Sequence, residues 1–383
     1  MKRHVSLLLL ELALPSLALS PHNPSVSRRD AAKLALGATT SSLWLPPALA
    51  TPSASLSSPL DIPSLGLGAW AWGDTLFWGY NKDNDYQLSE VFDYAVDQGV
   101  DFFDTAEVYG LGRSETLLGK FCAANPAAGD VKIATKFAAL PWRTKASDVL
   151  EAAKRSTDRL GRPIDLYQIH FPNGWANEKY WDGLAMAVDS GLVRAAGVSN
   201  YGKDALRACH ATLAQRGIKL VSNQIQLSLI YPFPLQNGLC AACDELDVRV
   251  LAYSPIGLGL LTGKFSLPDK LPQGPRKELA KAYLSDVNFL RLIDTLKEVG
   301  KAHENASPAA VALAWCIAKG ASVIPGARTQ AQAASNVAAS KLKLSVAEVA
   351  SLDKASAALS KNGNQLKPES APFAKKDVFT GMT

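Results

Sequence analysis

From Ser64 onward, short apolar or β-branched runs alternate with longer segments whose apolar side chains recur every three or four positions. The short runs predict strands at Ser64–Leu67, Val100–Phe103, Val131–Thr135, Leu166–Ile169, Val193–Val198, Ser222–Gln226, Val248–Ala252 and Val323–Ile324. The longer segments predict helices near 86–98, 114–122, 146–160, 178–190, 203–216, 236–245, 287–303, 308–319 and 330–340. In 146–160, Val149, Ala152, Ala153, Ser156 and Leu160 share one face while Lys154, Arg155 and Asp158 point away from it. Ser307-Pro308 reads as an N-cap followed by proline at the first helical position. Strands separated by helices of this length require parallel crossovers. Eight such units in ~300 residues fit a closed (β/α)8 TIM barrel better than an open doubly wound sheet. The early glycines Gly66, Gly68 and Gly73 lack the G-x-G-x-x-G spacing of a dinucleotide-binding sheet.

The first fifty residues follow a different pattern. Lys2, Arg3 and His4 precede an apolar run from Val5 to Leu19, with the small residues Ala18 and Ser20 at its end, which reads as a signal peptide over 1–20. Ser27-Arg28-Arg29-Asp30 and Lys33 then precede a second apolar stretch ending in Ala48-Leu49-Ala50, a segment of twin-arginine type over 21–50. Pro46 and Pro47 fit a cleavage site better than a continuing helix, so no stable membrane anchor is expected after processing. Two such signals in series resemble the layered presequences of proteins sent into plastids (chloroplasts) bounded by extra membranes, the inner one pointing on to the thylakoid lumen. The expected organisation is therefore 1–20, 21–50, a barrel over 51–360 and a tail over 361–383.

Composition changes this picture little. The formal net charge of +5 hints at nucleic acid, but residues 1–50 hold five basic and two acidic side chains, so most of the excess lies there and the body is nearly neutral. No nucleic-acid partner is expected. The five cysteines are few and odd in number, and Cys240 and Cys243 form a lone C-x-x-C without a nearby histidine, better read as two buried positions one helical turn apart than as a metal or redox site.

Barrels of this class keep their chemistry at the C-terminal ends of the strands. There the second strand gives Asp104 with Tyr109 five residues on, the third Lys136 and the fourth His170. Each has an ordinary role open to it, as a helix cap, a packed ring, a solvated strand end or a core histidine. Together they suit proton transfer by a phenol: an ammonium beside tyrosine lowers its pKa from about 10, a carboxylate holds the ammonium, and histidine bonds the reacting oxygen. A metal-dependent hydrolase would need more ligands than the single strand-end histidine offers, and no metal is expected.

The segments Asp104-Thr105-Ala106-Glu107-Val108-Tyr109-Gly110, Ile133-Ala134-Thr135-Lys136, Asp165-Leu166-Tyr167-Gln168-Ile169-His170, Gly197-Val198-Ser199-Asn200, Asn223-Gln224, Ala252–Lys264 and Ile324-Pro325-Gly326-Ala327-Arg328 resemble the aldo-keto reductase superfamily, in order, from about Leu65 to Asn336. The likeness is strongest to its longer bacterial and plastid branch. The resemblance implies NADPH bound in extended form and reduction of a small-molecule carbonyl, with Asp104, Tyr109, Lys136 and His170 catalytic and Tyr109 the proton donor. It implies further that Ser199, Asn200 and Gln224 hold the nicotinamide carboxamide and that Tyr253 stacks on its ring. Ser254, Pro255, Ile256, Leu258, Gly259 and Lys264 would follow the pyrophosphate, and Arg328, Gln332 and Asn336 the adenosine 2′-phosphate. A cofactor-binding sensor or accessory subunit on the same fold is the alternative.

Aromatic residues crowd the loops near these strand ends, and Trp72, Trp78, Trp142 and Phe171 are the expected substrate pocket, suited to an apolar or aromatic carbonyl. Residues 265–286, with Pro268, Pro272 and Pro275, read as a lid over the cofactor.

Overall fold

The computed structural model describes residues 60–274 and 276–361. The targeting segments expected at 1–20 and 21–50 and the tail beyond Lys361 lie outside the described residues. Eight parallel strands, β1 (Leu67–Gly68), β2 (Phe102–Asp104), β3 (Lys132–Phe137), β4 (Ile164–Ile169), β5 (Val193–Ser199), β6 (Leu220–Gln226), β7 (Arg249–Tyr253) and β8 (Ser322–Val323), pair in sequence order. The ring closes where the Gly66 amide donates to the Val323 carbonyl at 2.9 Å and the Val323 amide to that of Ser64 at 2.9 Å. The chain is thus a (β/α)8 TIM barrel, as the alternation of runs predicts.

Helices α1 (Asp85–Asp97), α2 (Arg113–Ala124), α3 (Ala146–Leu160), α4 (Asn177–Asp189), α5 (Lys203–Ala214), α6 (Leu239–Glu245), α7 (Arg276–Leu284), α8 (Val287–Lys301), α9 (Pro308–Ala318), α10 (Gln330–Lys341) and α11 (Val346–Lys361) accompany the strands. Side chains alternate along each strand between the barrel interior and the helix layer. Inside, Leu60, Phe102, Ala134, Leu166, Ala195, Leu251 and Ile324 form an apolar plug. Outside, Phe103, Ile133, Tyr167, Ile169, Val198 and Val250 join the larger core beneath the helices. Burial on both faces is why these strands read as continuous apolar runs. Helices α2 and α3 approach closely because Gly119 has no side chain: a Cβ there would lie 2.5 Å from the Leu160 carbonyl oxygen.

Three segments differ from expectation. The helix expected over 236–245 is interrupted at Gly238, whose φ of 82° ends a single turn before α6 begins. Within α6, Cys240 and Cys243 are buried and burial pushes each thiol up to about 12, so the C-x-x-C is packing, as expected. The expected lid contains α7, anchored by buried Ala280, Tyr283 and Leu284. Helix α11 has no counterpart in the expected elements; its buried positions Leu352, Ser356 and Leu359 are diluted among alanines and serines that carry little periodic signal. It is pinned by Asp353, which accepts from Trp315 Nε1 at 2.9 Å and Lys319 Nζ at 2.7 Å. Among the described residues no helix is long and apolar enough to cross a membrane.

Leu166→Ala, inside the plug, is expected to cost about 2–5 kcal/mol in urea unfolding, whereas Leu111→Ala, 82% exposed, should stay within about 0.5 kcal/mol. Equal losses would contradict the assignment of the plug.

Candidate active site

One inward step above the plug, about 7 Å along each strand, apolar side chains give way to polar ones: Phe102 is followed by Asp104, Ala134 by Lys136, Leu166 by Gln168 and Leu251 by Tyr253. Lys136 is fully buried and Asp104 nearly so. Lys136 Nζ donates to Asp104 Oδ1 at 2.6 Å and to the Thr105 carbonyl at 2.7 Å. The other carboxylate oxygen accepts from Gln224 Nε2 at 2.8 Å and Gln168 Nε2 at 3.4 Å. Gly197 makes room for this ring of polar groups, because a Cβ there would lie 3.0 Å from Gln168 Cγ and 2.4 Å from Ser222 Oγ. Burial lowers the pKa of Lys136 and the Asp104 carboxylate works against that fall.

The helix layer braces the pair from behind. Thr135, on the outer face of β3, donates to fully buried Glu115 at 2.5 Å, which also pairs with Arg159 Nε at 2.6 Å. Ser114 accepts from Thr105 Oγ1 at 2.8 Å and donates to the Ala69 carbonyl at 2.9 Å, fixing the chain that leaves β2. Glu107 then ties this loop to the next one, accepting from the Ala138 amide at 2.7 Å and from Arg143.

Tyr109 follows at a tight turn where Gly110 (φ 56°) and Leu111 (φ 55°) are left-handed. A Cβ on Gly110 would lie 2.4 Å from the Gly73 carbonyl oxygen, so this turn presses directly on the loop after β1. The Tyr109 ring centroid lies 5.0 Å from Lys136 Nζ, and the His170 ring meets it edge to face at 5.8 Å. Burial, then the Asp104 charge, pushes the Tyr109 hydroxyl well above its ordinary value. This reverses the direction expected from sequence: the lysine is spent on Asp104 and Thr105 and lies beneath the ring, so desolvation and the carboxylate prevail. Burial, then Lys136, holds His170 well below its usual range, so the imidazole is neutral near pH 7. His170 Nδ1 is buried with no acceptor or donor among the described residues, and its ring stacks on Phe171 at 4.4 Å.

Ser199, Asn200, Gln224 and Tyr253 meet at the same mouth. Asn200 donates to the His170 carbonyl and to Ser199 Oγ, both at 3.1 Å, and accepts from the Tyr253 hydroxyl at 3.0 Å. Ser199 Oγ donates to the Gln224 carbonyl at 2.9 Å. The following loop carries Ser254 (φ 49°) and Leu258 (φ 55°) in left-handed conformations alongside Pro255, Ile256 and Gly259. After β8, the Arg328 amide donates to Gln332 Oε1 at 2.7 Å and Asn336 Nδ2 lies 3.5 Å from the Gly326 carbonyl. Lys264 has its pKa lowered by burial, then by Arg276, Arg328 and Lys270. Among the described residues, Lys264, Arg276 and Arg328 have no acidic partner.

Of the expected pocket residues, only Phe171 lies against a candidate catalytic group. Trp72 is fully buried beneath the barrel wall, its Nε1 donating to the Ala327 carbonyl at 2.8 Å, and is core. Trp142 is 64% exposed. Trp78 belongs to the basic end, with Arg276 and Arg328 over its ring at 4.6 and 5.7 Å. Instead Trp70 faces Tyr109 at 6.1 Å, held by Asp74, which accepts from Trp70 Nε1 at 3.0 Å. Gln168 was not expected at the site, although its position two residues before His170 places it on the inward face.

Lys136→Met leaves the Asp104 carboxylate buried without a cation and is expected to cost about 3–5 kcal/mol, most of it recovered in Asp104→Asn/Lys136→Met. Equal destabilisation of the single and double variants in denaturant titration would show that the pair is not the source.

The described barrel matches known proteins across nearly its whole length. Residues 64–357 match the Aldo/keto reductase family model. The chloroplastic pyridoxal reductase of Arabidopsis thaliana is 41% identical over 303 residues, covering 75% of this chain and 81% of that protein. The NADP(+) aldo-keto reductase yakc of Schizosaccharomyces pombe is 28% identical over 303 residues, covering 75% and 86%. Among solved structures, the thermostable aldo-keto reductase Tm1743 in complex with the inhibitor epalrestat superposes with a TM-score of 0.63 at 28% identity, covering 77% of this chain and 95% of that one. With the strand-end residues gathered at one mouth and the match spanning every strand of the barrel, the chain belongs to the aldo/keto reductase family and is an oxidoreductase.

Proposed function

We propose that this protein reduces an aldehyde or ketone to the alcohol with NADPH, Tyr109 supplying the proton. The observation that carries the reading is the buried Lys136–Asp104 pair lying beneath the Tyr109 ring with a neutral His170 at its edge. When bound, the reduced dinucleotide supplies the hydride. The residues fit such a group: a cluster of amides and hydroxyls at Ser199, Asn200 and Gln224, a phenol ring at Tyr253, and three cations at Lys264, Arg276 and Arg328 without acidic partners among the described residues. Arg328, beside the start of α10, suits a 2′-phosphate and favours NADPH over NADH.

As negative charge develops on the carbonyl oxygen, the neutral His170 ring can hydrogen-bond it and orient it toward the phenol. The Tyr109 hydroxyl keeps its proton at neutral pH because its pKa is raised, and so can act as the acid. The Lys136 ammonium, which Asp104 and the Thr105 carbonyl hold 5.0 Å from the ring centroid, offsets part of the cost of the phenolate left behind without outweighing its burial. Asp104 acts through Lys136 and is a positioning residue. Rings at Trp70 and Phe171 flank Tyr109 and His170 and suit an aromatic or apolar carbonyl, in keeping with the name of the Arabidopsis relative, a pyridoxal reductase. The plastid is the destination this reading gives, supported by the layered N-terminal segments and by the chloroplastic relative.

Tyr109→Phe is expected to lower turnover with a panel of aromatic aldehydes by at least about 100-fold while NADPH still binds. Unchanged turnover would sink the proton-donor role and favour a cofactor-binding subunit. Arg328→Ala should raise KM for NADPH by about tenfold and leave that for NADH nearly unchanged, a comparison that steady-state kinetics with the two dinucleotides decides.

A further inference from the structure

Trp78 packs against the edge of the main core and also makes contacts that core packing alone does not account for. It lies in the loop after β1, where its amide is held by Asp74 Oδ1 at 3.4 Å, and its ring packs edge to face on Trp70 at 5.4 Å and Phe77 at 5.1 Å. The Arg276 guanidinium sits over that ring at 4.6 Å and the Arg328 guanidinium at 5.7 Å. Arg328 Nη1 also donates to the Trp78 carbonyl at 3.0 Å, and Arg276 Nη1 to the Leu258 carbonyl at 3.3 Å. One indole therefore gathers three separate elements: the loop after β1, the loop after β7 through Arg276, and the start of α10 through Arg328.

Two further facts point to a ligand. The indole Nε1 of Trp78 and the Nε of Arg276 are both buried, and neither has an acceptor among the described residues. Orphaned N–H donors at buried positions are rare, and two on stacked neighbours are unexpected unless an acceptor joins them. The cations around them also go unneutralised: Arg328 and Lys264 contribute further positive charge, and the pKa of Arg276 is pushed down by burial and then by Arg328. Like charges held together by a ring face, with N–H donors beside them, suit an anion.

We infer that Trp78 is a phosphate-binding residue, its ring face setting the two guanidiniums and its indole N–H donating to a phosphoryl oxygen of the dinucleotide. This rests on the NADPH reading above and goes beyond it in assigning the role to a tryptophan of the first loop. It also reassigns Trp78 from the wall of the carbonyl pocket to the phosphates of the cofactor, with the Trp70 ring between it and Tyr109. The same chemistry would serve the 2′-phosphate or the pyrophosphate, and simple nucleotides separate them.

The test is calorimetric titration of the purified protein with 2′-AMP, with 5′-ADP and with NADPH, for the native chain, Trp78→Phe and Trp78→Leu. Trp78→Phe keeps a ring for the guanidiniums and removes only the N–H, so one of the two small nucleotides should bind about tenfold more weakly, as expected for loss of a hydrogen bond to a charged group. Loss confined to 2′-AMP identifies the 2′-phosphate; loss confined to 5′-ADP identifies the pyrophosphate. Trp78→Leu, which also removes the ring face, should lose more with the same nucleotide. If NADPH binds the native chain and Trp78→Phe equally, and neither small nucleotide is weakened, the inference is overturned while the cofactor reading stands. If the native chain binds none of the three, both fall.

Discussion

Burying an ammonium against a carboxylate at the mouth of an apolar barrel is the constraint that the rest of the site answers to. Lys136 has no solvent exposure, and two charges withdrawn from water are tolerated only when paired closely and given further hydrogen bonds. Here the lysine has Asp104 and the Thr105 carbonyl, and the carboxylate has Gln224 and Gln168. Barrel closure makes this possible, because it brings side chains from β2, β3, β4 and β6 to one level above a plug that excludes water from below. Small features elsewhere follow from the same need. Gly197 clears space for Gln168, and Glu115 with Thr135 fixes the strand from which Lys136 projects.

The same burial separates the roles of the ionisable groups around the mouth. It pushes the Tyr109 hydroxyl up and the His170 imidazole down, so both are uncharged at neutral pH while the buried lysine keeps a partner for its charge. A phenol that holds its proton and an imidazole that is not cationic suit donation to a developing alkoxide. The cations around Trp78 form a second group, joined to Tyr109 through the Trp70 ring. On the proposed reading, the mouth holds a charge-paired reactive group and, beyond Trp70, a cationic group for the phosphates. The modest net charge of the whole molecule shows neither.

Most of the barrel was legible because burial on both faces leaves strands as unbroken apolar runs, and the catalytic candidates stood out as polar residues where those runs stop. Asp104, Lys136 and His170 are visible for that reason. Gln168 was hidden because it sits inside such a run, and only strict alternation from His170 reveals that it faces inward. Trp72 and Trp78 were read alike from sequence, yet six residues apart they enter opposite environments, one the core and one a pair of arginines; the turn at Gly73 that separates them has φ 102° and no sequence period. Helix α11 was missed because alanine and serine blur its buried face. The direction of the Tyr109 shift depends on where Lys136 Nζ points, a three-dimensional fact that no spacing encodes.

The central claim is that Tyr109 is a protonated acid and His170 a neutral donor across the working pH range. The most direct measurement is the pH dependence of single-turnover reduction of an aromatic aldehyde by the NADPH-loaded protein. Tyr109, with its pKa raised, stays protonated until pH passes above about 10, and His170, with its pKa lowered, stays neutral until pH falls well below about 6.5. The rate should therefore be flat between about pH 6.5 and 9 and fall only outside that window. A limb with its midpoint near neutral pH, from either side, would contradict the account.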